Sequence, residues 1–263
     1  PIESARLVEE WGNEGDAHVG KWHRQVSMLS FEKIEAFREK GADVDFGAFG
    51  ENLVVEGFDL SKVPVGTKFQ IGEAILELTQ IGKECHSHCA IYKVMGDCIM
   101  PREGVFTRVL KGGEIKAGDE ITMLPLEKDR PFTAAVITLS DKGAAGERED
   151  KSGPLIQEML MKEGYDVIET LLLPDGEQPL KHQLMRLADQ RQVNVIFTTG
   201  GTGFAERDVT PEATQAVCDR MAMGIADAIR QYSLSITGRA MLSRAVSGIR
   251  KKTLIVNLPG SPK

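Results

Sequence analysis

The stretch at residues 198–214, TTGGTGFAERDVTPEAT, combines residue types that suit a phosphate group and its metal ion. It follows an apolar run ending at Phe197 that is typical of a buried strand. Asp208 offers a carboxylate, and the residues from Thr210 onward predict a helix start with Thr210 as the N-cap. Glycine lets the backbone turn tightly and approach a ligand, and the stretch contains Gly200, Gly201 and Gly203. This arrangement indicates an anion site with an associated cation.

Two further loops carry similar side chains after predicted strands. Ser140 and Asp141 follow one apolar run, with Ser152 further along the same loop, and Asp175 follows the next run. In an open α/β sheet the ligand lies beyond the carboxyl ends of the strands, so we expect three loops to meet at one rim. Backbone amides suit phosphate oxygens, and carboxylates suit a hard cation such as Mg²⁺. The residues therefore predict a phosphate or nucleotide site with Mg²⁺.

Each of these signals also has a purely structural interpretation. A single Asp after a strand is most often a turn residue or a helix cap, which applies to Asp141. Many turns contain several glycines, so GGTG alone is not specific. The chain has neither a Walker A lysine motif nor G-x-G-x-x-G, which excludes the two commonest nucleotide loops. The segment TGRAMLSR at 237–244 either faces a substrate phosphate or forms a surface turn, and we favour the surface turn.

The second half must position these loops, and its pattern alternates between strand-like and helix-like segments. Predicted strands lie at 132–139, 165–173, 193–199, 245–249 and 253–258, and predicted helices at 152–162 and 180–190. The segment 211–232 is predicted to be mostly helical. Such alternation predicts a mainly parallel sheet with helices on both faces. The printed sequence stops at LPGSPK, where we expect a further helix.

The first half has a different pattern, with short strands separated by turn signals. Strands are predicted at 25–30, 67–71, 74–80, 105–110 and 120–124, with one helix at 31–40. The pair joined at Gly72-Glu73 is a predicted hairpin. Many short strands with few helices favour a β-barrel or sandwich. We therefore predict a β domain at 1–126, a polar linker at 127–131 and an α/β domain at 132–263.

Composition excludes several classes of protein. The net charge of −7 falls entirely within the first 130 residues, so no basic nucleic-acid footprint is expected. No apolar run reaches the roughly 20 residues needed to cross a membrane, and the first residues lack a signal-peptide core. Four Cys in a chain of this length, three of them close together, do not resemble a disulfide scaffold. We expect a cytoplasmic protein with free thiols and no membrane or nucleic-acid partner.

The segment 81–98 concentrates cysteine and histidine, and three interpretations of it remain open. A zinc site would use Cys and His ligands, but the spacing departs from the usual paired knuckles. Buried thiols that pack as small hydrophobes are the favoured interpretation for Cys98 and Cys218. A single reactive thiol would be Cys85, activated by Lys83 or a neighbouring His, with Cys89 as its rival.

The second half resembles the MoaB/Mog family of molybdopterin adenylyltransferases over the whole of 132–263. The resemblance is carried by TLSDKGAAGEREDKSG, LLPDGEQP, TTGGTGFAERDVTPEAT and NLPGSP, in that order. It implies a three-layer α/β fold, a homo-oligomer (trimer or hexamer), and transfer of AMP from Mg-ATP to the terminal phosphate of molybdopterin. It also implies Asp175 and Asp208 as catalytic and Mg²⁺-binding residues. The implied nucleotide and pterin contacts are Ser140, Asp141, Ser152, Gly200, Gly201, Thr202, Gly203, Gly260 and Ser261.

The first half resembles the MOSC domain over residues 1–125. The carriers are EGDAHVGKWHRQVSML at 14–29, the stretch at 49–80 and the Cys that follows it. The resemblance implies a mostly β, barrel-like domain that binds the molybdenum cofactor, with Cys85 (rival Cys89) as the ligating thiol. In most members a Pro-Arg precedes this Cys, whereas Gly82 holds the Arg position here.

Both resemblances lead to molybdenum cofactor biosynthesis. We expect the second half to adenylylate molybdopterin, and the first half to bind the cofactor or hand it over. The expected partners are the pterin and nucleotide substrates, further copies of the chain, and other molybdenum cofactor enzymes. The alternatives are a carrier or scaffold that binds molybdopterin without turnover, and a different transferase on the same fold, such as one that inserts molybdate.

Overall fold

The chain divides into two compact units, residues 1–128 and residues 129–263. The computed structural model describes residues 2–85 and 89–260. The predicted two-domain layout is confirmed, and the division falls inside the polar segment 127–131. We retain that segment as the proposed linker.

The first unit is rich in short strands. Its strands are β1 (Ser4–Val8), β2 (Gly12–Asn13), β3 (Val26–Ser30), β4 (Leu53–Val55), β5 (Lys68–Ile71), β6 (Ala74–Ile81), β7 (Val105–Lys111), β8 (Gly113–Lys116) and β9 (Ile121–Met123). Its helices are α1 (Phe31–Arg38), α2 (Ala90–Met95) and α3 (Met100–Glu103), with a 3₁₀ turn at Leu60–Lys62.

These strands form two sheets, one in the order β4-β3-β7-β6-β5-β9 and a smaller one in the order β2-β1-β8. The predicted hairpin is present, because β5 and β6 pair antiparallel with Ile71 opposite Ala74. Phe69, Leu76 and Leu78 are fully buried and form part of its core. The prediction of a mostly β domain is confirmed, and the larger sheet curls as a half-barrel.

The second unit alternates strands and helices. Its strands are β10 (Thr133–Leu139), β11 (Asp166–Leu173), β12 (Val195–Thr199), β13 (Arg220–Met221), β14 (Ser247–Arg250) and β15 (Thr253–Leu258). Its helices are α4 (Asp141–Ala144), α5 (Ser152–Lys162), α6 (Glu177–Met185), α7 (Thr210–Val217) and α8 (Met223–Leu234). A π-helical turn at Arg186–Gln190 extends α6, and a 3₁₀ turn occupies Gly238–Leu242.

The sheet of this unit has the order β11-β10-β12-β15-β14-β13. The first four strands are parallel, and β14 and β13 are antiparallel additions. Helix α5 packs on one face through Leu160, against Val136 of β10. Helices α6 and α7 cover the other face, where Leu184 packs with Ile137. Three layers around a mainly parallel sheet are thereby confirmed.

The segment 211–232, predicted to be mostly helical, holds two helices that a short strand separates, and the sequence did not indicate this break. Helix α7 ends at Val217, β13 follows, and α8 begins at Met223. The backbone of the intervening segment pairs with β14, where Arg220 lies opposite Ile249 and the Asp219 amide donates to the Ile249 carbonyl at 2.9 Å. These long-range sheet hydrogen bonds replace the helical ones, so local helix propensity does not decide this segment.

The predicted N-cap role of Thr210 is wrong. Helix α7 starts at Thr210 itself, and the preceding Val209 is the cap residue, without a side-chain hydrogen bond. The Thr210 hydroxyl instead donates to the Gly200 carbonyl at 2.9 Å, and its amide donates to the Gly201 carbonyl at 3.1 Å. Thr210 therefore anchors the glycine turn to the helix.

Candidate functional site

Three loops meet at the carboxyl edge of the parallel sheet. Strand β10 lies between β11 and β12, so the loops that follow these strands are neighbours. The Ser140 amide donates to the Leu173 carbonyl at 2.9 Å, which ties the ends of β10 and β11 together. The Ser140 hydroxyl accepts the Gly143 amide at 3.1 Å and caps α4.

Two aspartates from adjacent loops lock onto one another. The Asp175 amide donates to the Asp141 carboxylate at 2.9 Å, and the Asp141 amide donates to the Asp175 carboxylate at 3.3 Å. The Asp175 side chain is 11% exposed. Burial raises its pKa, the Asp141 amide partly opposes this, and the like charges of Asp141 and Asp208 raise the pKa further. The site therefore concentrates negative charge that a cation would relieve.

Asp208 brings the third carboxylate to the glycine turn. Its Oδ2 accepts the Ala205 amide at 2.9 Å. A Cβ on Gly203 would lie 2.8 Å from the same oxygen, so only glycine allows the carboxylate to lie there. A Cβ on Gly201 would lie 3.6 Å from Asp175 Oδ1. The turn therefore runs between two of the three predicted acids.

The turn itself has the conformation of an anion-binding backbone. Gly200 and Gly201 have φ values of +98° and +63°, which residues with a side chain rarely adopt. Within residues 2–85 and 89–260, the amides of Gly201, Thr202 and Gly203 donate no hydrogen bond. Successive unpaired amides in such a turn form a concavity that favours phosphate oxygens.

A cavity of about 680 Å³ adjoins this turn. Its lining includes four of the predicted contacts, namely Ser140, Ser152, Gly200 and Gly260. The Ser152 hydroxyl donates to the Gly260 carbonyl at 3.3 Å, which joins the start of α5 to the segment that follows β15. Ser261 lies outside the described residues. Asp141, Asp175 and Asp208 do not line the cavity, so the acids flank it at the glycine turn.

The cavity also shows residues that the sequence did not single out. The loop before α5 lines it with charged side chains of both signs, Glu147, Arg148, Glu149 and Lys151. Thr138 lies at its edge and is 5% exposed, and its hydroxyl has no hydrogen-bond partner in the described chain. Only the loop's place after a strand end could have indicated these residues.

Arg244 contacts the glycine turn, although the sequence did not predict it as a site residue. Its amide donates to the Thr202 carbonyl at 2.9 Å, and its Nε donates to the Gly203 carbonyl at 2.7 Å. Its remaining nitrogens bond the Asp208 carbonyl and the Glu212 carboxylate. The interpretation of 237–244 as a surface turn therefore does not hold for its last residue. Nothing in the local sequence indicates this contact, because its partners lie more than 30 residues earlier.

The acids suit a metal that takes only part of its coordination from the protein. Among the described residues, no group of three or more His, Cys, Asp or Glu side chains is arranged to hold a metal ion. Mg²⁺ commonly uses one or two carboxylates and completes its octahedron with water and phosphate oxygens. Asp175 and Asp208, together with a bound triphosphate, fit that pattern.

The cysteines of the first unit differ in exposure. Cys85 and Cys89 are exposed, whereas Cys98 is buried and its pKa is raised by burial. In the second unit, burial raises the pKa of Cys218 to about 11. The predicted buried thiol is confirmed for Cys98, whereas Cys218 is only partly buried and packs against the core of the second unit. His86 and His88 lie outside the described residues, so the zinc alternative rests on positions that the structure does not describe.

Gly82 is constrained by its surroundings. Its φ is +77°, and a Cβ would lie closer than 3.0 Å to the Pro101 carbonyl oxygen. Its amide donates to the Gly104 carbonyl at 2.6 Å. The departure from the family's arginine therefore has a packing reason, because this turn has no room for a side chain.

The second unit is therefore an α/β domain that brings acids and a glycine turn together at the carboxyl edge of its sheet. The chain belongs to the family described as "Probable molybdopterin binding domain", which matches residues 135–263. The MOSC domain family matches residues 15–122. The predicted resemblances to the two families are both confirmed.

Named relatives match the second half. A molybdopterin adenylyltransferase of Haemophilus influenzae is 43% identical over 130 residues, which cover 49% of this chain and 66% of that protein. One from Helicobacter pylori is 42% identical over 130 residues, covering 49% and 74%. The crystal structure of the molybdopterin biosynthesis enzyme MoaB of Thermus thermophilus is 44% identical, with a TM-score of 0.48, covering 50% and 82%.

The described parts of the chain contain no helix with the length and hydropathy that a bilayer crossing requires.

Proposed function

We propose that the second half adenylylates molybdopterin with Mg-ATP. The observation that carries this proposal is the meeting of Asp141, Asp175 and Asp208 around a glycine turn with unpaired amides. That arrangement offers donors for phosphate oxygens and carboxylates for a cation at one place. The relatives that match this half are named molybdopterin adenylyltransferase, and the proposed substrates follow from that name.

The reaction joins a phosphate oxygen of molybdopterin to the α-phosphorus of ATP. The bond between the α-phosphorus and the bridging oxygen of pyrophosphate breaks, and pyrophosphate leaves with its electron pair. Asp175 and Asp208 would hold Mg²⁺, which when bound supplies positive charge next to the phosphoryl oxygens. The amides of Gly201, Thr202 and Gly203 would bind the oxygens that gain charge in the transition state. A general base is unnecessary, because the attacking phosphate is already anionic.

The cavity would receive the parts of the substrates that do not react. Ser140, Ser152, Gly200 and Gly260 are the proposed contacts there, with Ser261 next along the chain. Asp141 is a proposed contact outside the cavity, beside Asp175. The mixed charges of the loop at 147–151 give this cavity donors and acceptors for a heterocycle and a ribose.

For the first half we propose binding or handover of the cofactor, with Cys85 as the ligating thiol. The exposure of Cys85 and the match to the MOSC domain support this role. Cys85→Ala is expected to weaken binding of the molybdenum cofactor at least about tenfold, whereas Cys89→Ala leaves it near wild type. The reverse order would assign the role to Cys89.

We further propose a cytoplasmic homo-oligomer. Free thiols at all four cysteines suit a reducing compartment. Helix α8 exposes Met223, Ile225, Tyr232 and Leu234, an apolar set that further copies of the chain would cover. Light scattering after size-exclusion chromatography is expected to give a trimer or hexamer, and a monomer would contradict this.

The activity is tested by incubating the full chain with Mg-ATP and molybdopterin and following pyrophosphate and adenylylated pterin. Release of pyrophosphate in step with pterin adenylylation is expected, and omission of Mg²⁺ should abolish it. Tight pterin binding with no pyrophosphate would support the carrier alternative, which is not favoured because two acids suited to turnover are present. Molybdate consumption without adenylylation would support the third alternative.

A further inference from the structure

Arg244 donates hydrogen bonds to three backbone carbonyl oxygens in and next to the glycine turn. Its amide and Nε bond the carbonyls of Thr202 and Gly203 at 2.9 and 2.7 Å, and its Nη2 bonds the carbonyl of Asp208. One residue therefore holds the turn at both ends of the segment 202–208. Carbonyl oxygens facing a phosphate would repel it, so their direction matters to any anion bound here.

The planarity of the peptide bond turns this contact into a constraint on the amides. In a trans peptide the carbonyl and the following N–H point in opposite directions. With the Thr202 carbonyl bonded to Arg244, the Gly203 amide must point away from Arg244. The Gly203 carbonyl fixes the Phe204 amide in the same way. In the described chain both amides lack an acceptor.

The charge of Arg244 is balanced separately. Its Nη1 pairs with the Glu212 carboxylate on α7, and its side chain is only 34% exposed. A guanidinium presents several donors in a rigid plane and can serve three acceptors at once, which an ammonium group on a flexible stem cannot do. The arrangement therefore uses the shape of arginine and not simply its charge.

We propose that Arg244 is a positioning residue, which orients the Gly203 and Phe204 amides toward the phosphate chain of ATP. This inference rests on the adenylyl transfer proposed above. Arg244 itself need not touch the nucleotide, because Glu212 already pairs with its charge.

The test compares Arg244→Lys, Glu212→Gln and wild type, with the exposed Arg220→Lys as the matched control. Arg244→Lys is expected to raise the KM for ATP about tenfold or more, while the KM for molybdopterin changes less than about threefold. Glu212→Gln keeps the arginine, and both of its KM values are expected to stay within about threefold of wild type. Arg220→Lys is expected to have wild-type KM values for both substrates. An unchanged KM for ATP in folded Arg244→Lys would overturn the proposal, because a purely stabilising role predicts that result.

A binding measurement separates this inference from the proposed reaction. An ATP analogue with a methylene bridge between the α- and β-phosphates is titrated into the protein in the presence of Mg²⁺, and calorimetry gives its Kd. If the wild-type protein binds the analogue but does not turn over ATP, the proposed adenylyl transfer is contradicted. A tenfold weaker Kd for the analogue in Arg244→Lys would still support the positioning role of Arg244. If wild type binds no nucleotide, both fail.

The wild-type protein offers a check that needs no variant. The NMR signals of the Gly203 and Phe204 amides are expected to shift, and their exchange with solvent to slow, when the analogue is added. Should Arg244→Lys not fold, this result decides the question. Unshifted signals at both amides with bound nucleotide would overturn the proposal.

Discussion

The amides of Asp141 and Asp175 each donate to the other residue's carboxylate, at 3.3 and 2.9 Å. The loops after β10 and β11 are thereby held together at the point where their strands end in register, Leu139 opposite Leu173. Each carboxylate keeps lone pairs that these hydrogen bonds do not use. Two negative groups are thus fixed side by side, which costs stability in the absence of a cation.

Replacing Asp175 with Asn is expected to stabilise the metal-free protein at neutral pH. The folded state raises the pKa of Asp175, chiefly through burial. Stability from such a group is present below its usual pKa of 3.8 and is lost as pH rises through the raised value. Asn mimics the protonated form, so Asp175→Asn should melt above wild type at pH 7, and the two should converge as pH falls toward 4.

Thermal melts between pH 4 and 8 in EDTA measure this difference. Asp227→Asn is the matched control, since Asp227 is 62% exposed and pairs with Arg230 on the surface of α8. That pair is worth at most about 1 kcal/mol. A lower melting temperature for Asp175→Asn than for wild type at pH 7 would contradict the electrostatic account.

Gly200 is expected to tolerate no side chain. Its φ is +98°, and a Cβ would lie closer than 3.0 Å to the Leu139 carbonyl oxygen. Gly200→Ala should lower the free energy of unfolding by about 1–3 kcal/mol, the usual range for backbone strain of this kind. Gly224 in α8 is the control, because a Cβ there would meet nothing within 4 Å.

Gly224→Ala should instead stabilise by about 0.5–1 kcal/mol, since alanine is the better helix former. Urea unfolding of both variants measures the two changes. Equal effects, or a neutral Gly200→Ala, would show that the turn is not held as described.

Alkylation is expected to divide the cysteines by exposure. At pH 8 a pKa of about 11 leaves about one Cys218 in a thousand as thiolate, which is the reactive form. Iodoacetamide should therefore modify exposed Cys85 and Cys89 at least about tenfold faster than Cys98 and Cys218. Mass spectrometry of a time course gives the order. Cys218 reacting as fast as Cys85 would argue against a selectively reactive thiol in the first half.

Local signals predicted the elements whose hydrogen bonds are local. The helix at 152–162 and the hairpin at Gly72-Glu73 lie where their periodicity and turn residues placed them. The break between α7 and α8 was missed, because it depends on hydrogen bonds to β14 across the sheet. The short strands β1, β2 and β8 were missed for the same reason, because each exists through its backbone pairing with another strand of the three-stranded sheet.

The candidate site divides in a similar way. The acids and glycines could be found because each follows a predicted strand, and parallel strands end at one edge. Arg244 could not be found, because its role consists of bonds to distant carbonyls and its own segment resembles a surface turn. The spacing of Asp208 from the glycines indicated proximity, but the mutual bonding of Asp141 and Asp175 required the structure.

Pyrophosphate release from Mg-ATP and molybdopterin by Asp208→Asn tests most directly whether this site transfers AMP. The variant should keep the fold, because the Asn side-chain oxygen can still accept the Ala205 amide. Loss of the charge should lower turnover by at least about 10²-fold at saturating substrate. The control variant Asp227→Asn should turn over at the wild-type rate. A folded Asp208→Asn protein that turns over at near wild-type rate would contradict the assignment of adenylyl transfer to this site.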